Sequence, residues 1–361
     1  MKIGFLIKDL SSGGAERATA SLANYFATHS NEVEIITFNG TESFYPLENE
    51  VSVYSAELDE LAQGSSLKRL FGAIKRIFAI RKLVRSHNLD ILIGMSFAMT
   101  WYTVLATIFT GTKSVGTERS NPFKYKASRL NTILRKLFYR LTDGYVLQTR
   151  RAAEFFGNGK SGRDIIIPNA IFNKAVYELS PPTERKKFIC ASGRLTEVKR
   201  FDLLIDAFAK IADKIPEYML IIFGESEEKD KLESQIKQLG LEKRVILFGA
   251  TPDAVKLINF ASVFVLSSDY EGMPNALLEA LAMGVPCVST DCEAGPGELI
   301  ENGVNGILTV PGNADELSEA ILKLIQSPEL SEQFSKNGRK LLQTNSIEAI
   351  CKIWLDYLSI L

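Results

Sequence analysis

Short runs of β-branched and other apolar residues alternate with longer amphipathic stretches along the whole chain, and this alternation limits the fold more than any other feature. In the first half the runs are Lys2–Ile7, Val33–Phe38, Asp90–Gly94, Gly144–Gln148 and Asp164–Ile167. In the second half they are Phe188–Ala191, Leu220–Phe223, Val245–Phe248, Val263–Leu266, Cys287–Ser289 and Gly306–Val310. Most are apolar at every position, as parallel strands covered on both faces must be. Helical stretches such as Phe201–Lys214 and Asp315–Gln326 separate them. The pattern is a βαβ series, so the expected class is α/β with doubly wound sheets. A chain of 361 residues exceeds one ordinary core. The pattern breaks at a proline-containing polar connector, Pro168–Pro182, and then restarts. The expected division is therefore 1–170, 171–345 and a final helix over 346–361. That helix carries Ile350, Trp354 and Leu358 on one face, and it could pack on either domain.

The composition, 46% apolar and 24% charged, is that of a soluble globular protein. Four scattered cysteines and two histidines offer neither a disulfide framework nor a zinc set, which points to a reducing compartment. No apolar run reaches membrane-spanning length, and the N-terminal one is too short for a signal peptide. A cytoplasmic protein is expected. Residues 1–170 hold 22 Lys and Arg against 15 Asp and Glu, whereas the remainder holds 20 against 28. The first half therefore faces something anionic, with nucleic acid, a lipid surface and phosphorylated substrates all open on charge alone.

In open α/β sheets ligands sit where strands end and helices begin. Three such junctions stand out. Ser11–Arg17 contains Gly13-Gly14 just before a helix, a pattern that suits an approaching anion but also an unliganded tight turn. Gly193–Arg200 carries Arg194, Lys199 and Arg200; Arg194 can grip a phosphate with two parallel bonds and Lys199 adds a point charge, although a solvated basic loop would read the same. Ser267–Glu279 turns through Gly272 and Pro274 into NALLEALAM, where Asn275 and Glu279 share a face. A carboxylate on such an apolar helix needs a donor, either a salt-bridge partner or a ligand. Taken together, two cations with a helix N-terminus can hold a diphosphate, and two carboxylates can accept hydrogen bonds from sugar hydroxyls. A nucleotide-sugar fits that set better than a free nucleotide.

At these residues the sequence resembles the retaining glycosyltransferase family 4, of GT-B fold: two Rossmann-like doubly wound domains facing a central cleft. GRLTEVKR matches its G-R-x(4)-K signature and Glu271-GMPNALL-Glu279 its E-x(7)-E signature. GGAER, the PNA of Pro168–Ala170 and ENGVNGIL agree in order and spacing, so the resemblance runs through the chain. It implies that Arg194 and Lys199 hold the donor diphosphate, that Glu271 meets the donor sugar and that Glu279 meets the ribose. It places the backbone of Gly14 and Gly193 near the phosphates or sugar, Gly249 and Ala250 beside the base, and Met273, Pro274 and Asn275 near the phosphates. Arg17, Arg119 and Asn169 would lie on the acceptor side. Many relatives carry a histidine where this sequence has Arg119, a residue that stays protonated and cannot serve as a general base. The usual second glycine after Leu220–Phe223 is also replaced, giving Gly224-Glu225.

The reaction implied is glycosyl transfer from a nucleoside-diphosphate sugar, UDP-linked, to a hydroxyl with retention. No cofactor is implied, and with no D-x-D triad, no metal. A nucleotide-sugar 2-epimerase on the same fold, or a transferase with a soluble acceptor, is the alternative. Ser66–His87 holds seven cations and no acid, including Lys75, Arg76, Arg81 and Lys82, among apolar residues; Lys124–Arg140 is a second basic segment. Such helices suit an anionic bilayer, or simply a core on one side and water on the other. Similarity to bacterial transferases that extend polyprenyl-diphosphate-linked glycans implies a lipid-linked saccharide acceptor, no nucleic acid, and a peripheral position on the cytoplasmic face of the inner membrane.

Overall fold

The computed structural model describes residues 1–56, 66–123, 129–157 and 162–361, with backbone alone for 66–70 and 129–130. The chain forms two compact units, Met1–Phe172 together with Ile347–Leu361, and Asn173–Ser346.

The first unit runs β1 (Lys2–Leu6), α1 (Gly14–Thr28), β2 (Glu32–Thr37), β3 (Val51–Ser55), α2 (Ser66–Ser86), β4 (Ile91–Gly94), α3 (Phe97–Thr107), β5 (Lys113–Glu118), α4 (Arg129–Leu141), β6 (Gly144–Leu147), α5 (Arg150–Phe156) and β7 (Asp164–Ile166). Its sheet is parallel, in the order β3-β2-β1-β4-β5-β6-β7. The second unit runs α6 (Lys174–Glu178), β8 (Lys186–Ser192), α7 (Phe201–Ile211), β9 (Met219–Phe223), α8 (Lys229–Gln238), β10 (Val245–Gly249), α9 (Ala254–Ile258), β11 (Ala261–Leu266), α10 (Asn275–Ala282), β12 (Cys287–Thr290), α11 (Pro296–Leu299), β13 (Ile307–Thr309), α12 (Ala314–Gln326), α13 (Pro328–Gly338) and α14 (Leu341–Thr344). Its sheet is also parallel, in the order β10-β9-β8-β11-β12-β13. Both units are doubly wound α/β folds. Strand order reverses between β1 and β4 in the first and between β8 and β11 in the second, the points at which such sheets take ligands.

Two strands go beyond the apolar runs. Val51–Ser55 lies at one edge of the sheet and buries only Val51, so its sequence alternates instead of staying apolar. Lys113–Glu118 is central but contains Gly116, where a Cβ would fall 2.5 Å from the Tyr145 ring. Local caps set several helix starts: Ser96 accepts from Met99 N at 3.3 Å, Thr149 from Ala152 N at 3.0 Å and Asn313 from Glu316 N at 3.1 Å.

The last helix, α15 (Ile347–Ser359), packs on the first unit. Its Ile350, Cys351, Trp354, Tyr357 and Leu358 share one buried cluster with Ala18, Leu22 and Phe26 of α1. The Tyr357 hydroxyl accepts from Tyr145 N at 2.8 Å and donates to Arg163 O, which fastens α15 to the backbone of β6 and the start of β7. All four cysteines are free and buried.

Candidate active site

In the second unit the residues singled out in the sequence gather at the β8/β11 reversal. The loop after β8 passes through Gly193, Arg194 and a single 3-10 turn at Glu197–Lys199; the loop after β11 passes through Ser267–Pro274 into α10. Lys199 Nζ lies 2.5 Å from Glu271 Oε1, with the two side chains 23% and 12% exposed. Ser268 Oγ donates to the same carboxylate oxygen at 2.7 Å, and Ser267 Oγ holds Lys199 O at 2.8 Å. Asp269 N donates to Val198 O at 2.9 Å, so the two loops are bonded through backbone as well as side chains. Ser267 and Ser268 head the third junction in the sequence, and the structure gives their hydroxyls the role of joining the two loops.

The three cations of the first loop take different roles. Arg194 is exposed, near enough to help lower the Glu227 carboxyl, which is held down chiefly by its bond from Ser226. Lys199 faces Glu271. Arg200 turns away, with φ of 48°, and bonds Asp202 and Asp269 at 3.0 and 3.1 Å. It therefore braces the loop rather than offering a third charge to a phosphate.

Glycines let the site loops approach one another. Gly224 has φ of +144°, and a Cβ there would fall 1.9 Å from Gly193 O. Leu195 N donates to Glu225 O at 3.2 Å and Glu228 N to Leu195 O at 3.1 Å, so the substituted Gly224-Glu225 turn is stitched to the Arg194 loop. Gly249 accepts from Gly224 N at 2.9 Å, which sets Gly249 and Ala250 beside that turn. Gly295 has φ of +88° and a Cβ there would meet Gly272 O at 2.4 Å, so the 291–295 loop closes against the signature turn. Met273 and Pro274 are buried and Asn275 is half-buried at the start of α10; Glu279 is buried within it. Cys292 is buried nearby, its thiol pushed up to about 12 by desolvation, with Glu271 adding to the shift.

In the first unit Gly13 and Gly14 open α1, with the Glu16 carboxylate folded back so that a Cβ at Gly13 would lie 2.1 Å from its Oε2. Arg17 is the fourth residue of that helix. Arg119, directly after β5, donates from Nη2 to Asn169 Oδ1 at 2.8 Å. Gln148 Nε2 donates to the same Asn169 Oδ1, so the two buried amides and Arg119 form one cluster. Beneath this group Glu118 and Arg135 form a buried pair at 3.2 Å, and Ser120 N and Oγ donate to Glu118 at 3.3 and 2.7 Å. Burial raises the Glu118 carboxyl even though Arg135 lowers it.

Within the second basic segment, Lys124–Arg140, Arg135 is 2% exposed and serves this pair, unlike the exposed Lys136 and Arg140. Lys124 and Lys126 lie outside the described residues, as do the side chains of Lys68, Arg69, Leu70 and Arg129. His87 Nδ1 lies 2.7 Å from Glu34. On α2, Ile80 and Val84 face the core, while Phe71 (64%) and Phe78 (66%) are exposed with Lys75 and Lys82. Arg76 lies over the Phe38 ring at 5.1 Å and Arg81 is half-buried. On α4, Ile133, Leu137 and Leu141 are exposed beside Lys136 and Arg140. No helix among the described residues is long and apolar enough to cross a membrane.

A family model described as Glycosyltransferase Family 4 matches residues 12–171, and one described as Glycosyl transferases group 1 matches residues 178–341. The chain belongs to these glycosyltransferases. It is 29% identical to an uncharacterized glycosyltransferase of Haemophilus influenzae over 98% of both chains. It is 27% identical to an alpha-1,4-N-acetyl-D-galactosaminyltransferase of Campylobacter jejuni, over 99% of this chain and 98% of that one; the latter's name gives its acceptor as a GalNAc saccharide on PP-undecaprenol. Among solved structures, Anabaena HepE in complex with UDP superposes with a TM-score of 0.83 at 21% identity over the whole of both chains. The same protein in complex with UDP-glucose gives 0.81. The fold of this glycosyltransferase is GT-B.

Proposed function

We propose that this glycosyltransferase moves a hexose or N-acetylhexosamine from a UDP-sugar to a hydroxyl of a polyprenyl-diphosphate-linked saccharide, with retention and without a metal ion. The observation that carries this reading is the Lys199–Glu271 pair at 2.5 Å, held by Ser267 and Ser268 at the β8/β11 reversal. Transfer breaks the bond between the anomeric carbon and the donor phosphate oxygen, so negative charge grows on the departing diphosphate. Arg194, Lys199 and the N-terminus of α10 at Met273–Asn275 stabilise that charge most as the bond breaks. Glu271 accepts from hydroxyls of the donor sugar and Glu279 from those of the ribose, with Gly249 and Ala250 flanking the base. The acceptor oxygen bonds to the anomeric carbon on the face the phosphate leaves, and a phosphate oxygen takes its proton. No enzyme nucleophile is required.

The lipid-linked acceptor is supported by the Campylobacter relative and by the exposed faces of α2 and α4, where Phe71, Phe78, Ile133 and Leu137 stand among lysines and arginines. Apolar side chains ringed by cations suit an anionic bilayer, so the enzyme works on the cytoplasmic membrane surface. A thermal-shift screen of nucleotide-sugars names the donor, since a bound donor stabilises the native state. Glu271→Ala is expected to lower transfer by about 10²–10³-fold with the fold intact; activity within tenfold of wild type removes the reading. Interconversion of UDP-sugars without acceptor identifies an epimerase instead. EDTA is expected to leave the rate unchanged. Replacing Lys75, Arg76, Arg81 and Lys82 by Glu weakens binding to anionic liposomes, and equal binding rejects the membrane surface.

A further inference from the structure

Arg119 makes fewer bonds than the other inward-turned arginines. Arg135 faces the Glu118 carboxylate, Arg200 faces Asp202 and Asp269, and Arg185 is held by the carbonyls of Asn259, Ala261 and Gly284. Arg119 is half-buried and has no carboxylate within 4.0 Å among the described residues. Its polar partner is the Asn169 amide oxygen, which engages Nη2 and is itself held by Gln148 Nε2, both amides being buried. Nε and Nη1 make no hydrogen bond within the described residues. Glu16 contributes only longer-range attraction, its carboxylate being folded over Gly13.

The position is nonetheless built firmly. Glu118 ties down Ser120 through both its backbone N–H and its hydroxyl, and Arg135 Nη1 holds Pro122 O at 3.4 Å, so the turn carrying Arg119 is clamped from beneath. Burial brings the guanidinium down to about 10, which still leaves it charged at neutral pH. A charge withdrawn from water, bonded to one amide and attracted only from a distance by Glu16, is stabilised strongly by an incoming anion, and a guanidinium fork fits two oxygens of a carboxylate or phosphate.

We infer that Arg119, oriented by Asn169 and Gln148, is a receptor for an oxyanion carried by the substrate and so sets its specificity. This rests on the glycosyl-transfer reading and adds the charge class of what is bound. Two sources share the chemistry: the carboxylate of a hexuronic unit and a phosphate of the lipid diphosphate.

The test uses the full-length enzyme as wild type, Arg119→Gln and Arg119→Lys, each checked for an unchanged melting temperature. One substrate pair is UDP-glucuronate against UDP-glucose. The other is a farnesyl-diphosphate-linked saccharide against the same saccharide on an octyl group. Arg119→Gln is expected to lower kcat/KM about 10- to 100-fold on the anionic member of one pair and less than about threefold on its neutral counterpart. Arg119→Lys falls between, because it keeps the charge and loses the fork. The pair that responds names the source. Equal losses on charged and neutral members of both pairs, or no loss at all, overturn the inference. Calorimetric titration of glucuronate and farnesyl diphosphate separates the two readings. Unchanged affinity for both in Arg119→Gln overturns the oxyanion site, whereas weakened binding by an enzyme that transfers nothing retains the site and discards the transfer.

Discussion

Replacing Arg135 by Met tests whether a buried ion pair sets the stability of the first unit. Arg135 and Glu118 are 2% and 1% exposed, 3.2 Å apart, with the guanidinium also 4.5 Å from the Phe97 ring centre. Removing the cation leaves Glu118 in the core with only the donors of Ser120. Stranding one member of such a pair costs about 3–5 kcal/mol. The cost must also depend on pH. Glu118 is already raised because burial outweighs Arg135, so the folded state holds its proton more tightly than the unfolded chain does. A group of this sign contributes stability below its unfolded pKa and loses it as pH rises through the folded value. Without Arg135 the folded value climbs further, and each added unit is worth about 1.4 kcal/mol. The penalty of Arg135→Met is therefore expected to be about 3–5 kcal/mol at pH 8 and at least about 1 kcal/mol smaller at pH 5. Both tryptophans, Trp101 and Trp354, lie in the first unit, so their fluorescence in urea follows that unit alone. Glu118→Gln should show a flatter stability profile than wild type over the same pH range. A penalty below about 1 kcal/mol, or one equal at both pH values, would refute the reasoning.

Tyr357→Phe removes the acceptor of Tyr145 N and should cost about 1–3 kcal/mol in the same urea titration. Gly224→Ala places a methyl 1.9 Å from Gly193 O in a backbone conformation that disfavours it, and it should displace the Arg194 loop. The expected result is a fall of more than about tenfold in kcat/KM at modest loss of melting temperature, in line with the effect of misplacing a positioned group; wild-type kinetics would show that the loop tolerates the shift.

Much of this was legible in the sequence because parallel sheets write themselves as apolar runs. β1, β2, β4, β6 and β7 of the first unit and β8 to β13 of the second all fall on such runs. Val51–Ser55 escaped because an edge strand is half-exposed, and Lys113–Glu118 because Gly116 exists to make room for the distant Tyr145 ring. The pairing of Lys199 with Glu271 joins residues separated by 72 positions in the chain, and no local pattern reports which cation of three will turn toward it. Arg135 could not be told from its exposed neighbours Lys136 and Arg140, since only Glu118 on another element draws it inward. Gln148 carried no signal at all; its importance comes from holding the Asn169 oxygen that Arg119 engages.

The docking of α15 on α1 has a consequence for synthesis. Residues 173–346, the whole second unit, emerge from the ribosome after Phe172 and before the segment that covers Ala18, Leu22 and Phe26. At roughly 5–20 residues per second this apolar surface waits on the order of ten to thirty seconds for its cover. During that interval the second unit has time to complete its own sheet, while the first stays open along one flank. The nascent chain is then a natural client for a chaperone that grips apolar helices until α15 is made.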